Sequence, residues 1–298
     1  MPESPSPVDQ PPVVDRPSAA DWARLAVPGL IWGTSFFFIA EGLESFPAIL
    51  ITPMRIAFGF AALAFVPASR TPIPRSAWPR IIVLAAVWMA IPLTMFPFAE
   101  ERVSSSVTGM LNGAIPLFVA SISALAFKVR ASRAQVGGLL VGFVGVVLVA
   151  APTVSEGRSS MVGVLLIMLA LVCYGFSLNV AMPLQQQFGS LPVLWRAQLA
   201  ALVMTTPFGL TSLDDIRFEW GALVMIACLG VFGTGLAYSI MASNAGRLGA
   251  TRASVTTYLI PAVSLALGAV VRDEKVYVLS VVGCVVALAG AYLTGRKN

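Results

Sequence analysis

Histidine is absent from this 298-residue sequence, and charged residues are scarce. Because histidine is the commonest general base and the commonest metal ligand, its absence leaves enzymatic and metal-dependent functions with little support. Charged residues make up 11% of the sequence and apolar residues 57%, whereas a soluble domain has about 25% charged residues. The composition excludes an ordinary soluble protein and indicates a chain surrounded mostly by lipid.

Cysteine is also rare. Cys173, Cys228 and Cys284 lie in separate apolar runs, at spacings that match neither a metal site nor a disulfide framework. No nucleotide-binding motif is present, so we expect no cofactor and no metal, and a membrane-embedded enzyme is the weaker alternative. The net charge of +5 does not predict a nucleic-acid partner, because the basic residues lie between apolar runs rather than in one stripe.

The sequence does contain many apolar stretches long enough to cross a bilayer, which takes about 20 helical residues. Ten spans are predicted, at residues 24–42, 46–67, 80–98, 104–127, 134–152, 160–182, 191–211, 220–242, 251–271 and 276–294. The turn between the sixth and seventh spans is placed at the polar run Gln185–Gln187, which Pro183 and Gly189 flank. The predicted fold class is an all-α membrane protein with ten transmembrane helices in a lipid bilayer.

The distribution of basic residues predicts the orientation. Lysine and arginine number twelve on the side that carries both termini and five on the other side. Because positively charged loops resist translocation, both termini are predicted to be cytoplasmic. Residues 1–21, which contain six prolines and no apolar core, are predicted to be a disordered cytoplasmic tail.

The two halves of the chain resemble each other. Trp32–Ser35 aligns with Tyr174–Ser177 at an offset of 142 residues. At an offset of 145 the matched pairs are Arg102 with Arg247, Pro116 with Pro261, Gly138 with Gly283, and Gly145 with Gly290. The predicted repeats are residues 22–152 and 160–295. Because each holds five spans, an odd number, the second would be inverted in the membrane, an arrangement typical of secondary transporters.

Two arginines lie inside predicted spans, Arg55 in the second and Arg196 in the seventh. A charge inside the hydrocarbon costs about 3 kcal/mol on insertion scales. Arg55 lies roughly 13 Å past Phe46 along its helix, and it is the stronger candidate to bind a substrate carboxylate. The alternatives are that either arginine bonds backbone carbonyls between helices or, for Arg196 near a span end, extends to the interface.

Prolines and polar residues mark matching places in the fourth and ninth spans. Pro116 and Pro261 each remove a helical hydrogen bond and are predicted to break their helices near the membrane midplane. Asn112 in the first half, and Thr257 and Tyr258 in the second, lie just before them and are predicted to contact substrate. The alternative is that the prolines only bend the helices, while the polar groups bond to neighbouring helices.

A further set of aromatic and polar residues lies at mid-span depth. The predicted substrate-binding residues of this set are Trp32, Ser35, Tyr174, Asn179 and Tyr238, with Trp88 nearby. Such a mixture suits an amphiphilic metabolite, because the rings pack against its apolar part while polar groups bond its polar end. Packing within the bundle or against lipid is the alternative for each aromatic residue.

Acidic residues are missing from the interior of the spans and occur only at the ends, at Glu41, Glu100 and Glu101. This disfavours an exchanger of lipophilic cations for protons, which needs an embedded carboxylate. Zwitterionic or anionic metabolites, such as amino acids, suit the embedded arginines better. Titration of Glu100 or Glu101 at a cavity mouth stays open.

Several short motifs carry a family resemblance. They are Trp32–Phe36, Arg55, Asn112–Pro116 with its echo Thr257–Pro261, Asp273–Glu274, and the glycine-spaced fifth and tenth spans. In this order and duplication, the chain resembles the EamA-type branch of the drug/metabolite transporter superfamily, ten-helix bacterial metabolite exporters. Lys128–Arg130 departs from that pattern, because many relatives have an acidic residue there.

The resemblance implies a bacterial inner-membrane location and a small-molecule substrate. With the repeat, it predicts a secondary transporter that works by alternating access. A membrane channel is the second alternative, although no ring of like charges or filter-like loop supports it. Whether the chain forms a homodimer stays open.

Overall fold

A computed structural model describes residues 19–128, 132–241 and 254–295, and within them all regular structure is helical. The α-helices are α1 (Ala19–Leu43), α2 (Ala48–Ala64), α3 (Trp78–Ala85), α4 (Ile91–Glu100), α5 (Ser105–Asn112), α6 (Ile115–Leu125), α7 (Arg133–Val154), α8 (Arg158–Phe188), α9 (Ser190–Gly209), α10 (Trp220–Cys228), α11 (Leu259–Val271) and α12 (Val278–Gly295). Residues 1–18 of the predicted tail lie outside the described residues. Helix α1 begins at Ala19, slightly before the predicted end of the tail.

Several of these helices are continued by wider or tighter turns. The π-helical turn Ala86–Ala90 joins α3 to α4, and a second π-helical segment, Leu229–Leu236, extends α10. The 3₁₀ turn Ser254–Tyr258 leads into α11. Because π-helical turns are rare and often occur at functional sites, the regions around these two segments are candidates for a functional site.

Length and composition allow five of the described helical stretches to cross a membrane, and α5 with α6 would make a sixth. Three further apolar helices among the described residues, at Ala48–Ala64, Thr256–Val271 and Val278–Thr294, are shorter. The chain is therefore a multi-pass membrane protein, and its described residues contain helices as their only regular structure. The count of ten spans stays a prediction.

The fourth predicted span is not one straight helix. Helix α5 ends at Asn112, and α6 begins at Ile115 with a bend of 42° between them. Pro116 lies at the start of α6, and Pro261 occupies an equivalent place near the start of α11, just after the 3₁₀ turn.

The turn between the sixth and seventh predicted spans differs from the expectation. Helix α8 continues through Pro183 and Gln185–Gln187 to Phe188. Glutamine is a good helix former, so the polar run does not interrupt the helix. The chain reverses at Gly189, whose φ of +83° suits glycine.

Helices α7 and α12 pack with their backbones in close contact through four glycines. A Cβ added to Gly145 would lie 2.6 Å from the Gly283 carbonyl oxygen, and one added to Gly283 would lie 2.8 Å from the Gly145 oxygen. A Cβ on Gly138 would lie 2.9 Å from the Gly290 oxygen, and a Cβ on Gly290 would lie 2.6 Å from the Gly138 oxygen. No larger residue fits at these positions without moving the helices apart.

Candidate functional site

A cavity of about 200 Å³ lies among α1, α2, the α3–α4 segment, α5, α8 and the segments around Tyr238 and Thr257. Seven of the ten predicted substrate-binding residues line it: Trp32, Ser35, Arg55, Asn112, Tyr174, Tyr238 and Thr257. Most of the remaining lining is apolar, including Phe36, Phe96 and Ile260. The tertiary structure thus brings together residues that are up to 225 positions apart in the chain.

Arg55 is the only cation among the described lining residues, and 4% of its surface is exposed. Its Nε donates a hydrogen bond to Oγ1 of Thr234 at 3.2 Å. Thr234 belongs to the π-helical segment Leu229–Leu236, which packs closely on α2, because a Cβ on Gly230 would lie 2.5 Å from the Arg55 carbonyl oxygen. The close approach of these backbones holds the guanidinium of Arg55 at the cavity.

The same π-helical segment offers its backbone carbonyls to side chains from two other helices. Nε1 of Trp32 donates to the Gly233 oxygen at 3.1 Å, and Nε2 of Gln198 donates to the Thr234 oxygen at 2.7 Å. The segment therefore joins α1, α2 and α9 around one wall of the cavity.

Asn112 supplies a second polar group to the cavity. It is the last residue of α5, directly before the bend, and it is buried. Its Oδ1 has no hydrogen-bond partner within the part of the chain that the structure describes. A buried carbonyl oxygen without a donor is costly, so a ligand with an N–H or O–H group would be stabilised there.

Aromatic rings form much of the rest of the wall. Tyr238 lies between Trp32 and Trp88, with each pair in an edge-to-face arrangement at 5.2 Å between ring centroids. Phe96 stacks against Tyr174 at 6.1 Å. These contacts fix the rings in place, so the cavity is largely formed before a ligand enters.

Three predicted residues do not line the cavity. Asn179 exchanges hydrogen bonds with Ser123 and also donates to the Gly175 oxygen at 2.9 Å, so it ties α8 to α6. Tyr258 is half-buried and packs on the apolar core. In this structure Asn179 therefore links two helices and Tyr258 packs on the core, and neither residue lines the cavity.

Arg196 also lies away from the cavity. Its Nη1 donates to the backbone oxygens of Pro192 at 3.1 Å and Ser69 at 3.4 Å, and the guanidinium lies 5.8 Å from the ring centre of Trp195. These contacts correspond to the structural alternative for Arg196, in which it bonds backbone carbonyls between helices.

Sequence reasoning missed several residues around the cavity. Gln185 lines it, because α8 continues through the predicted turn. Thr234 and Gln198 are fully buried and bond each other through the Thr234 carbonyl. For Thr234 and Gln198 the available signal was a polar residue within an apolar run, the same signal that singled out Asn112.

One end of the helix bundle carries a group of linked charges, here called the ion-pair end: Glu41, Glu44, Arg272 and Glu274. Nη1 of Arg272 donates a hydrogen bond to Glu41. Its Nη2 lies 3.2 Å from Oε1 of Glu44, and its Nε lies 3.7 Å from Oε1 of Glu274. These contacts connect the end of α1 to the loop between α11 and α12.

Glu274 also accepts hydrogen bonds from the start of α5. Its Oε1 accepts hydrogen bonds from the backbone N and Oγ of Ser105 at 3.0 and 2.7 Å, and its Oε2 accepts one from the backbone N of Ser106 at 2.9 Å. A carboxylate at a helix N-terminus is favourable. Burial raises the pKa of Glu274, but the donors of Ser106 and Ser105 outweigh it, so the pKa lies below its ordinary value.

The architecture and the cavity together define a class of protein, a multi-pass membrane protein with a small, mostly apolar site inside its helix bundle. Sequence comparison then identifies the family. The EamA-like transporter family matches residues 23–151 and, a second time, residues 161–296. The chain therefore belongs to the EamA-like transporter family, as its motifs predicted, and it has a small-molecule substrate and a lipid environment.

Two relatives illustrate this membership, and one solved structure shares the fold. An uncharacterised transporter of Archaeoglobus fulgidus is 24% identical, covering 93% of this chain and 99% of the relative. A Salmonella typhimurium protein named as a probable amino-acid metabolite efflux pump is 23% identical, covering 89% and 91%. A crystal structure with a TM-score of 0.65 and 17% identity covers 93% of this chain and 96% of that chain, and it supports the fold.

Proposed function

We propose that this chain exports small zwitterionic or anionic metabolites, such as amino acids, by alternating access between two inverted five-helix repeats. The observation that carries the substrate class is the pairing of Arg55 with the unbonded Oδ1 of Asn112 in one cavity. Arg55 can donate to a carboxylate, and Asn112 can accept from an ammonium group. No acidic residue is among the lining residues that the structure describes, which disfavours cations.

The size and wall of the cavity also suit such a substrate. Its volume of about 200 Å³ lies below the roughly 300–1,000 Å³ of sites for drug-sized ligands. The aromatic residues Trp32, Trp88 and Tyr238 offer an apolar surface to a substrate side chain. A small amphiphilic molecule fits this combination better than a large lipophilic drug does.

Equivalent features of the two halves support the inverted repeat. The π-helical segments Ala86–Ala90 and Leu229–Leu236 overlap when the first is shifted by 145 residues. The close contact of Gly138 with Gly290 becomes that of Gly283 with Gly145 under the same shift. Exchange of the halves therefore reproduces the α7–α12 interface, as a two-fold axis between the repeats requires.

The arrangement of charges supports an orientation for the cycle. Cytoplasmic termini, which the basic residues predict, put the ion-pair end on the outer side of a bacterial inner membrane. Arg272 and the bonds of Glu274 to Ser105 and Ser106 link the helices at that end, and we infer that these contacts belong to its closed form. Alternating access then requires these contacts to break when substrate leaves. The name of the Salmonella typhimurium relative agrees with export of amino-acid metabolites.

Counterflow in proteoliposomes tests this function. Purified protein is reconstituted with unlabelled solute inside, and uptake of the labelled solute is measured for a panel of amino acids, organic anions and organic cations. We expect exchange of a zwitterion or an anion. Asn112→Ala should reduce it by roughly 10- to 150-fold, because a buried hydrogen bond to a charged group contributes about 1.5–3 kcal/mol.

Asn179→Ala is the matched control, since Asn179 bonds Ser123 outside the cavity. It should leave exchange within about threefold of the wild type, with thermal unfolding showing that both variants are folded. Exchange of cations alone would overturn the substrate class. Ionic conductance without saturable exchange would overturn the transporter mechanism in favour of a channel.

A further inference from the structure

The proposed cycle leaves one buried ionisable group without a role, the carboxyl of Glu100. Glu100 is the last residue of α4, and both of its carboxyl oxygens are inaccessible to solvent. Neither oxygen has a hydrogen-bond partner among the residues that the structure describes. The neighbouring Glu101 is exposed and pairs with Arg102 at 2.8 Å. The carboxyl oxygens of Glu100 are thus buried, whereas the adjacent Glu101 is exposed to solvent.

Glu100 lies between the cavity and the ion-pair end. Phe96, which lines the cavity, precedes it by four residues, so the two side chains share one face of α4 about 6 Å apart along the axis. Beyond Glu100 the chain turns into Ser105 and Ser106, which Glu274 binds. Opening of the ion-pair end would therefore bring water towards Glu100 first.

The charges around Glu100 do not compensate for its burial. The groups that act on it most strongly are Glu274, Arg272 and Arg55. Glu274 has the same charge. Arg272 is bonded to Glu41 and lies near Glu44, while Nε of Arg55 donates to Thr234. Of the titratable groups on helices packed against α4, Glu41 is held by Arg272, and Tyr174 stacks on Phe96.

We propose that Glu100 is a proton-binding site that couples transport to a proton gradient, an inference that rests on the transport function proposed above. An ionised carboxylate that is buried without a donor or a bonded cation is strongly disfavoured. Glu100 therefore holds a proton while the ion-pair end is closed. When that end opens, the O–H bond breaks and the proton passes to the water on that side. After the end closes, the carboxylate takes a new proton from the opposite side through the cavity, which Phe96 lines one helical turn away, so each cycle moves one proton outward with the solute.

Infrared spectroscopy tests the proton itself without any substrate. A protonated carboxyl has a C=O stretching band that a carboxylate lacks. At neutral pH, the wild-type spectrum minus that of Glu100→Gln should contain this band, and the same difference for Glu101→Gln should not. Absence of the band from the Glu100 difference would overturn the inference, whatever the protein transports.

Proton movement tests the coupling. A pH-sensitive dye inside proteoliposomes reports protons moved by a gradient of whichever solute the counterflow panel identifies. Wild type and Glu101→Gln should move protons with solute. Glu100→Gln should lose this proton movement by about tenfold or more, because embedded carboxylates act as proton relays. Its counterflow, which needs no net proton transfer, should stay within about threefold of the wild type.

The possible failures are distinct. Solute movement by the wild type without proton movement, or unchanged proton movement in Glu100→Gln, would overturn the coupling and leave the proposed function intact. Failure of the wild type to exchange any solute would overturn the proposed function, and the infrared band would still decide whether Glu100 carries a proton.

Discussion

The α7–α12 interface and the cavity use equivalent residues of the two halves in different ways. At the interface, Gly145 meets Gly283 and Gly138 meets Gly290, so equivalent positions make equivalent contacts. At the cavity, Arg55 lines the site, whereas its counterpart Arg196 bonds the Ser69 and Pro192 carbonyls outside it. The halves match where they hold α7 and α12 together and differ at the cavity.

The symmetric interface should be the least tolerant of change. A Cβ added to Gly145 would lie 2.2 Å from the Ala287 backbone nitrogen, whereas one added to Gly137, on the same helix, meets nothing within 4 Å. Gly145→Ala should destabilise the protein by about 3 kcal/mol or more, because backbone atoms must move apart. Gly137→Ala should change stability by less than about 1 kcal/mol.

Thermal unfolding in detergent measures this difference. Midpoints equal to that of the wild type in both glycine variants would contradict the close helix packing of α7 and α12. Equal losses would show instead that α7 tolerates no added methyl group anywhere, which would remove the special role of the interface.

The second prediction concerns the two arginines. Arg55→Ala should reduce counterflow by roughly 10- to 100-fold, because it removes a charged donor to the substrate carboxylate. Arg196→Ala should stay within about threefold, because its bonds are to backbone carbonyls near the surface. The measurement compares the counterflow rates of the two folded variants with that of the wild type at matched protein amounts. Similar losses in both variants would mean that the cavity uses the two halves alike.

A smaller effect is expected from the group that orients Arg55. Thr234→Val removes the hydroxyl that accepts from Arg55 Nε but keeps nearly the same shape. Counterflow should fall by about three- to tenfold, which corresponds to one hydrogen bond of about 0.5–1.5 kcal/mol. Thr206→Val is the control, because Thr206 bonds the Leu202 oxygen of its own helix. A matching loss there would indicate a general effect of threonine removal.

The smallest effect concerns the ion-pair end. The pKa of Glu274 is lowered in the folded protein, so its carboxylate stabilises the fold above its ordinary pKa near 4.5, and this is lost as pH falls through the lowered value. Glu274→Gln should cost roughly 0.5–1 kcal/mol at neutral pH, after allowance for solvent screening. The difference from wild type should shrink below about pH 4.5.

Unfolding midpoints across pH measure the Glu274 contribution. Asp215→Asn, at an exposed carboxylate, is the control for the removal of one negative charge. A Glu274→Gln difference that stays constant as the pH falls would mean that the charge of Glu274 does not stabilise the start of α5.

Much of the architecture was predictable from the sequence by itself. Apolar runs interrupted by charges determined a helical membrane protein, because unpaired backbone groups and charges are costly in hydrocarbon. The recurrence of Gly138 at Gly283 and of Pro116 at Pro261 indicated the duplication. The motifs around Trp32 and Arg55 were enough for the family, which sequence comparison then established.

The tertiary structure decided which polar residues share the cavity. Arg55 and Arg196 are both arginines in predicted spans, and Asn112 and Asn179 are both asparagines in predicted spans. Of these four residues, Arg55 and Asn112 line the cavity and the other two do not. Helix rotation and depth, set by packing against neighbours far along the chain, make that choice. Glu100 shows the same limit, because the sequence placed it with Glu101 at a span end and did not distinguish the two. The fold instead buries it beside the exposed Glu101, since two adjacent residues on a helix point in different directions.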